Sequence, residues 1–154
     1  MHFKTFALAA LTATTAVASQ VGNAIVENHC PFTVYLWSVG GSTGPKQVLK
    51  SGGVYTERFH RDPKSGGIAI KITKVDDGIF NGSPQTNFAY TLTDTRVFYD
   101  LSDVYGNPFS GHKLVVDPSD PNCQEIVWPS GITPAGTLTR DCQNKSDVKL
   151  TLCA

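Results

Sequence analysis

In one short run after another, apolar side chains occupy every second position of this chain, and that period leaves few folds open. Ile68, Ile70 and Ile72 alternate with Ala69, Lys71 and Thr73. Phe88, Tyr90 and Leu92 share a face opposite Asn87, Ala89 and Thr91, while Val97, Tyr99 and Leu101 oppose Arg96, Phe98 and Asp100. Val148, Leu150 and Leu152 do the same against Lys149 and Thr151, and residues 33–39 and 54–59 read as further strands. A period of two places successive side chains on opposite faces of a strand, so each run is half-buried with one wet face. Asp77-Gly78, Asn81-Gly82, Gly106-Asn107-Pro108 and residues 118–121 supply the positive φ or preset proline φ that turns require. No long stretch repeats at 3.6 residues. Many short strands between such turns predict an all-β sandwich of two antiparallel sheets, with a small closed barrel as the alternative.

The amino terminus says where such a sandwich is used. Lys4 precedes an apolar stretch over residues 6–17, and Ala16-Val17-Ala18 places small residues at an A-x-A exit. A charged start, a short apolar centre and that exit predict a secretory signal peptide over residues 1–18, cleaved after Ala18 or Ser19. The stretch is too short for the roughly 20 apolar residues of a membrane span. Residues 19–154 then form a single domain, and roughly 135 residues bury enough surface for one hydrophobic core. Of 13 Lys+Arg, loss of Lys4 leaves 12 against 13 Asp+Glu. That balance argues against a nucleic-acid partner or an anionic membrane surface. Cys30, Cys123, Cys142 and Cys153 all survive cleavage, and four cysteines in an exported chain imply two disulfides with three possible pairings. No C-x-x-C spacing occurs and His29, His60 and His112 are scattered, so neither a metal nor another cofactor is expected.

Several motifs need weighing. Gly40-Gly41-Ser42-Thr43-Gly44 matches G-x-S-x-G, but Pro45 follows at once and no strand–turn–helix elbow is available, so Ser42 reads as a loop serine. Asn144-Lys145-Ser146 is a plausible glycosylation acceptor, whereas Asn81-Gly82-Ser83 is followed by Pro84, which lowers acceptance. Tyr35 and Trp37 share one face of their strand opposite Val34 and Leu36, and Trp128 precedes a loop. An exposed aromatic could stack on the C–H face of a sugar, so Tyr35, Trp37 and Trp128 are candidate ligand contacts, with core packing as the competing role.

The stretches VGNAIVENHCPFTVYLWSV, SGGIAIKIT, QTNFAYTL, VFYDLSDVYGNPFSG and LTLCA resemble, in order and over the whole mature chain, the family of small secreted fungal proteins named after the Blastomyces yeast-phase-specific protein, also described as antigenic thaumatin-like proteins. The chain is more distantly similar to plant thaumatin-like proteins, through Ile25, Val26, Asn28, Cys30, Thr33 and Val34. The resemblance implies a thaumatin-like β-sandwich with Cys30 joined to Cys153 and Cys123 to Cys142. The plant proteins have an acidic cleft associated with β-1,3-glucan. Its glutamate falls on Ala89, its Y-D-x-S aspartate is retained as Asp100, and its next aspartate, near Tyr105, is lost. Their extra cysteine-rich domain is also missing here.

Glycoside hydrolysis normally uses two carboxyl groups, about 5–5.5 Å apart for retention or 6.5–9.5 Å for inversion. Asp100 and Asp103 are the candidate catalytic pair, yet on a regular strand a separation of three puts them on opposite faces. A non-catalytic secreted protein is therefore the leading expectation, with a weak β-1,3-glucanase and a protein-binding inhibitor or adhesin as rivals. The expected partners are a cell-wall polysaccharide (β-glucan or chitin) or a host-surface protein, and the expected state is a monomer.

Overall fold

The computed structural model describes residues 20–136 and 138–154; the expected signal peptide lies outside them. Among the described residues, eleven strands and one helical turn follow in chain order: β1 Asn23–Asn28, β2 Val34–Val39, β3 Gln47–Leu49, β4 Val54–Arg58, β5 Ile68–Thr73, α1 Gly78–Asn81, β6 Gln85–Leu92, β7 Arg96–Val104, β8 Leu114–Pro118, β9 Ile126–Trp128, β10 Arg140–Gln143 and β11 Val148–Leu152. Among the described residues no helix is long and apolar enough to cross a membrane.

The strands form two sheets packed face to face, a sandwich rather than a closed barrel. One sheet has the order β4-β1-β11-β8-β9 and the other β10-β7-β6-β5-β2-β3. Pairing is antiparallel with one exception, β1 beside β11, which run parallel from Ala24↔Val148 to Asn28↔Leu152. Parallel neighbours need a long connection, and here that connection is nearly the whole domain.

The period-two runs bury the faces they predict. Ile68, Ile70, Ile72, Phe88, Tyr90, Val97, Tyr99 and Leu101 are at most 4% exposed and meet Ala24, Val26, Leu114, Val116, Leu150 and Leu152 from the other sheet. Each valine, leucine, isoleucine or phenylalanine among them contributes about 1.5–3 kcal/mol by leaving water. Disulfides join Cys30 to Cys153 and Cys123 to Cys142, with Cα–Cα distances of 5.0 and 5.5 Å. The first staples the end of β1 to the end of β11; the second holds the 119–125 loop against β10.

Two polar side chains, one buried and one at the sandwich edge, tie separate elements together. Asn28, 0% exposed, donates through Nδ2 to the carbonyls of Phe32 and Leu49 at 2.9 and 3.0 Å and accepts from the Cys30 N–H at 3.0 Å. It thereby ties the turn after β1 to the end of β3. Glu57 on β4 accepts from the Tyr55 hydroxyl at 2.7 Å and, across the sandwich, from the Tyr90 hydroxyl of β6 at 2.6 Å. Burial first, and the Glu57 bond second, push both phenols well above the usual tyrosine range. Tyr99, whose hydroxyl donates to the Gln124 carbonyl, is pushed up to about 12 by burial and then by the Asp141 charge.

Candidate functional site

The candidate site follows from the wet faces of β6 and β7. Register pairs Ala89 with Asp100 and Thr91 with Phe98, and Phe98 with Asp141 of β10. Ala89, Thr91, Phe98, Asp100 and Thr139 line an open groove of about 210 Å³ on the outer surface of the six-stranded sheet. A second hollow continues from it past Asp100 and Ser102 to the Thr133–Gly136–Leu138 side of β7. Phe98 is 38% exposed, an aromatic ring beside the small or polar Ala89, Thr91, Asp100 and Thr139 of the groove. Asp100 accepts the adjacent Leu101 N–H through Oδ1 at 2.8 Å.

The proposed carboxylate pair does not form. Asp100 and Asp103 both lie on β7, three positions apart, so the pleat sends them to opposite faces. Asp103 shares the face of Val97, Tyr99 and Leu101, where Oδ1 accepts from the Thr86 hydroxyl at 2.5 Å and Oδ2 is buried with no partner among the described residues. The other carboxylate brought to the outer face is Asp141, which β10 places opposite Phe98 and which Arg96 holds through both Nε and Nη2. Asp100 shares its face of β7 with Arg96, Phe98, Ser102 and Val104, none of them a carboxylate. The position facing it across β6 is Ala89, which supplies no carboxyl group.

Burial raises Asp103 above the ordinary aspartate range. An acid whose folded pKa is raised contributes stability that is present below its unfolded pKa and lost as pH rises through the folded value. Asp103→Asn keeps an acceptor for Thr86 without the charge, so it is expected to melt higher than the parent at pH 7. The gain should vanish below about pH 4, where the carboxyl is neutral in both states. Thermal melts of the two proteins across that range check it; a lower melting point for the variant at pH 7 would mean that the carboxylate is used.

The aromatic candidates divide. Trp37 is 2% and Trp128 0% exposed, so neither meets a ligand, which corrects the expectation from sequence. Trp128 faces the core from β9. Trp37 is on the outer face but is roofed by Phe80 of α1, edge-on at 6.0 Å. Tyr35 is partly exposed, with Lys46 6.0 Å above its ring and Lys46 itself bound to Asp76 and Asp77. It belongs to the rim beside α1 and is three strands from β7 in the sheet order.

Other candidates resolve into structural roles. Ser42 lies in the loop after β2, where the Gly44 N–H bonds the Ser38 carbonyl. Asp62 accepts the Gly41, Ser65 and Lys64 N–H groups, which draw its carboxyl down to about 2. That carboxylate holds the loop rather than activating a serine. Asn144 is 8% exposed and donates to the carbonyls of Asp94 and Thr93 at 2.7 and 3.4 Å. A glycan on it is incompatible with these contacts, which corrects the preference for this sequon.

A larger cleft, about 480 Å³, lies elsewhere, among Asp117, Pro121, Cys123, Gln124, Glu125 and Arg140. It lacks an aromatic platform, and the loop beside it is bonded internally, with Asn122 and Gln143 both on Asp120. Asp120, Cys123 and Cys142 converge within 4.8 Å there, but both sulfurs are in the disulfide and offer no thiolate to a metal.

A family model described as Blastomyces yeast-phase-specific protein matches residues 11–154. An antigenic thaumatin-like protein of Arthroderma benhamiae is 33% identical over 158 residues, covering 96% of this chain and 79% of that relative. The secreted thaumatin-like protein calA of Emericella nidulans is 31% identical over 142 residues, covering 85% of this chain and 81% of its own. Among solved structures, the protein elicitor MoHrip2 from Magnaporthe oryzae superposes with a TM-score of 0.71 at 26% identity, over 86% of this chain and 99% of that one. The thaumatin-like xylanase inhibitor TLXI superposes with a TM-score of 0.55 at 13% identity, over 85% and 99%, and shares the fold.

Proposed function

Since the chain belongs to the Blastomyces yeast-phase-specific protein family, and is secreted like its relatives, we propose that it works outside the cell as a non-catalytic binding protein for a wall β-glucan or chitin. The polysaccharide lies across the outer face of the six-stranded sheet. One observation carries the reading: Phe98 and Asp100 stand together on an open groove, while Asp103 is on the opposite face and Asp141 is held by Arg96. An exposed ring accepts the C–H face of a sugar, and a carboxylate beside it accepts hydroxyl hydrogen bonds. Such an arrangement can hold a glycan without the paired carboxyls that cleave one. Wall remodelling during growth or germination, or display to a host as an antigen or effector, are roles such a protein serves.

The expected result is retention of the purified mature protein on insoluble β-1,3-glucan or chitin with no soluble sugar released. Phe98→Ala should weaken retention about tenfold, equivalent to ~1.4 kcal/mol. Sugar release abolished by Asp100→Asn would make the protein an enzyme and overturn the reading.

A second reading, recognition by a host protein, is favoured by the likeness to the elicitor MoHrip2. It predicts saturable binding to a purified host-surface protein that Phe98→Ala leaves intact, without retention on either polysaccharide.

A further inference from the structure

Phe80 is 69% exposed, on a turn that the glycan-binding groove does not use, and the next residue is the other sequon asparagine. The turn is built to hold that asparagine outward. α1 begins after Asp77, at φ 52°, and ends at Gly82, at φ 75°, both left-handed. The Gly82 N–H closes the turn onto the Gly78 carbonyl, and a Cβ at Gly78 would come within 2.7 Å of the Thr73 hydroxyl, so the turn is seated directly on β5. Asn81 is exposed. Its Oδ1 accepts the Ser83 N–H at 3.1 Å and the Ser83 hydroxyl at 2.6 Å, and among the described residues its Nδ2 donates to nothing.

Asn144 presents the contrary case at every point. It is buried, its Nδ2 is donated to two carbonyls, and its sequon serine, Ser146, is 5% exposed and bonded to the Ser119 hydroxyl at 2.9 Å. A chain glycosylated there could not close the 93–95 turn over Asn144, so folding selects against that glycoform.

We propose that the secreted protein carries its N-linked glycan at Asn81, and that the first sugar lies over Phe80. This explains the two loose features together. Phe80 already rests edge-on against Trp37 at 6.0 Å and 85°, which leaves its outer surface as a fixed apolar platform next to the attachment nitrogen. A sugar ring laid on it removes apolar area from water. Pro84 lowers the efficiency of transfer, so a mixture of occupied and bare chains is the expected product.

The test uses full-length protein secreted from a eukaryotic host. Peptide-N-glycosidase treatment in ¹⁸O-water marks each released site by converting its asparagine to labelled aspartate. Label at Asn81 and none at Asn144 is the expected peptide map. Label at Asn144, or no label at either position, overturns the assignment. The map is read on the unsubstituted chain, so it does not depend on a variant folding. For the contact with Phe80, protein trimmed to the first sugar is compared with fully deglycosylated protein. Trimmed protein should melt higher in the parent and no higher in Phe80→Ala; equal melting points in the parent would remove the stacking contact.

Discussion

Replacing Cys30 and Cys153 together by alanine is expected to remove about 4–5 kcal/mol of stability, because the bridge closes a separation of 123 residues. The unfolded chain without it regains nearly the whole loop entropy of the domain. Since a single domain holds about 5–15 kcal/mol in total, the variant should be close to unfolding at growth temperature. The same replacement at Cys123 and Cys142, separated by 19 residues, should cost about 3 kcal/mol. The folded contacts point the same way. Cys30 is 0% exposed, and its N–H is held by Asn28, so the bridge sits where β1, β11 and the turn after β1 converge. Urea denaturation of the two double variants and the parent gives the comparison. Equal losses for both, or a larger loss for the short bridge, would show that the long bridge does not act mainly on the unfolded chain.

The second large effect is expected at Glu57. Glu57→Ala removes the carboxylate that accepts from the hydroxyls of Tyr55 and Tyr90. That leaves Tyr90, 2% exposed, with only the His60 Nδ1 at 3.1 Å, and the half-buried Tyr55 to turn to solvent. A buried donor left unpaired costs about 1–3 kcal/mol, and since only Tyr90 is buried the variant should lose about that much in total. Glu57→Gln retains an acceptor and should cost less; Tyr90→Phe removes one donor and leaves the carboxylate bonded to Tyr55. The pair also fixes the alkaline limit. Both phenols have folded pKa values raised by burial and by Glu57. Their contribution is fully present below about pH 10, the unfolded tyrosine value, and is lost as pH rises through the folded ones. Absorbance of phenolate and loss of β circular dichroism should therefore rise together in the parent. In Glu57→Ala both should begin at lower pH. Phenolate formation at unchanged pH in the variant would contradict the role given to Glu57.

How much of this was legible beforehand depends on where the signal resides. β5, β6, β7 and β11 announce themselves through alternating side chains, because each has one wet and one buried face. β3 and β9 are three residues long, and β10 is Arg-Asp-Cys-Gln; these outer strands are held by backbone pairing, which leaves no hydrophobic period to read. The parallel β1–β11 pair is a property of topology, outside any local pattern. The resemblance to thaumatin-like proteins implied the cysteine pairing that the structure contains.

The candidate site was only half legible. The pleat already separates Asp100 from Asp103. Phe98 carried a usable signal, an aromatic between Arg96 and Asp100 on the polar face of an alternating strand. Trp37 and Trp128 are large aromatics on short strands, but Phe80 of α1 roofs the first and the sandwich core encloses the second, and neither cover is written near the tryptophan in sequence. Asp141 reaches the outer face only because β10 pairs with β7, and Asn144 is buried only because the 93–95 turn closes over it.

A glycan lying across the outer face of the six-stranded sheet, and held there intact, must perturb the backbone beneath it. Backbone amide chemical shifts followed by NMR during titration with a soluble β-1,3-glucan or chitin oligosaccharide test this placement most directly. Shifts are expected to concentrate at Thr91, Phe98, Asp100 and Thr139 for one of the two sugars, with the sugar recovered at its original length. Shifts centred on the 119–125 loop, or shortening of the oligosaccharide during the titration, would contradict it.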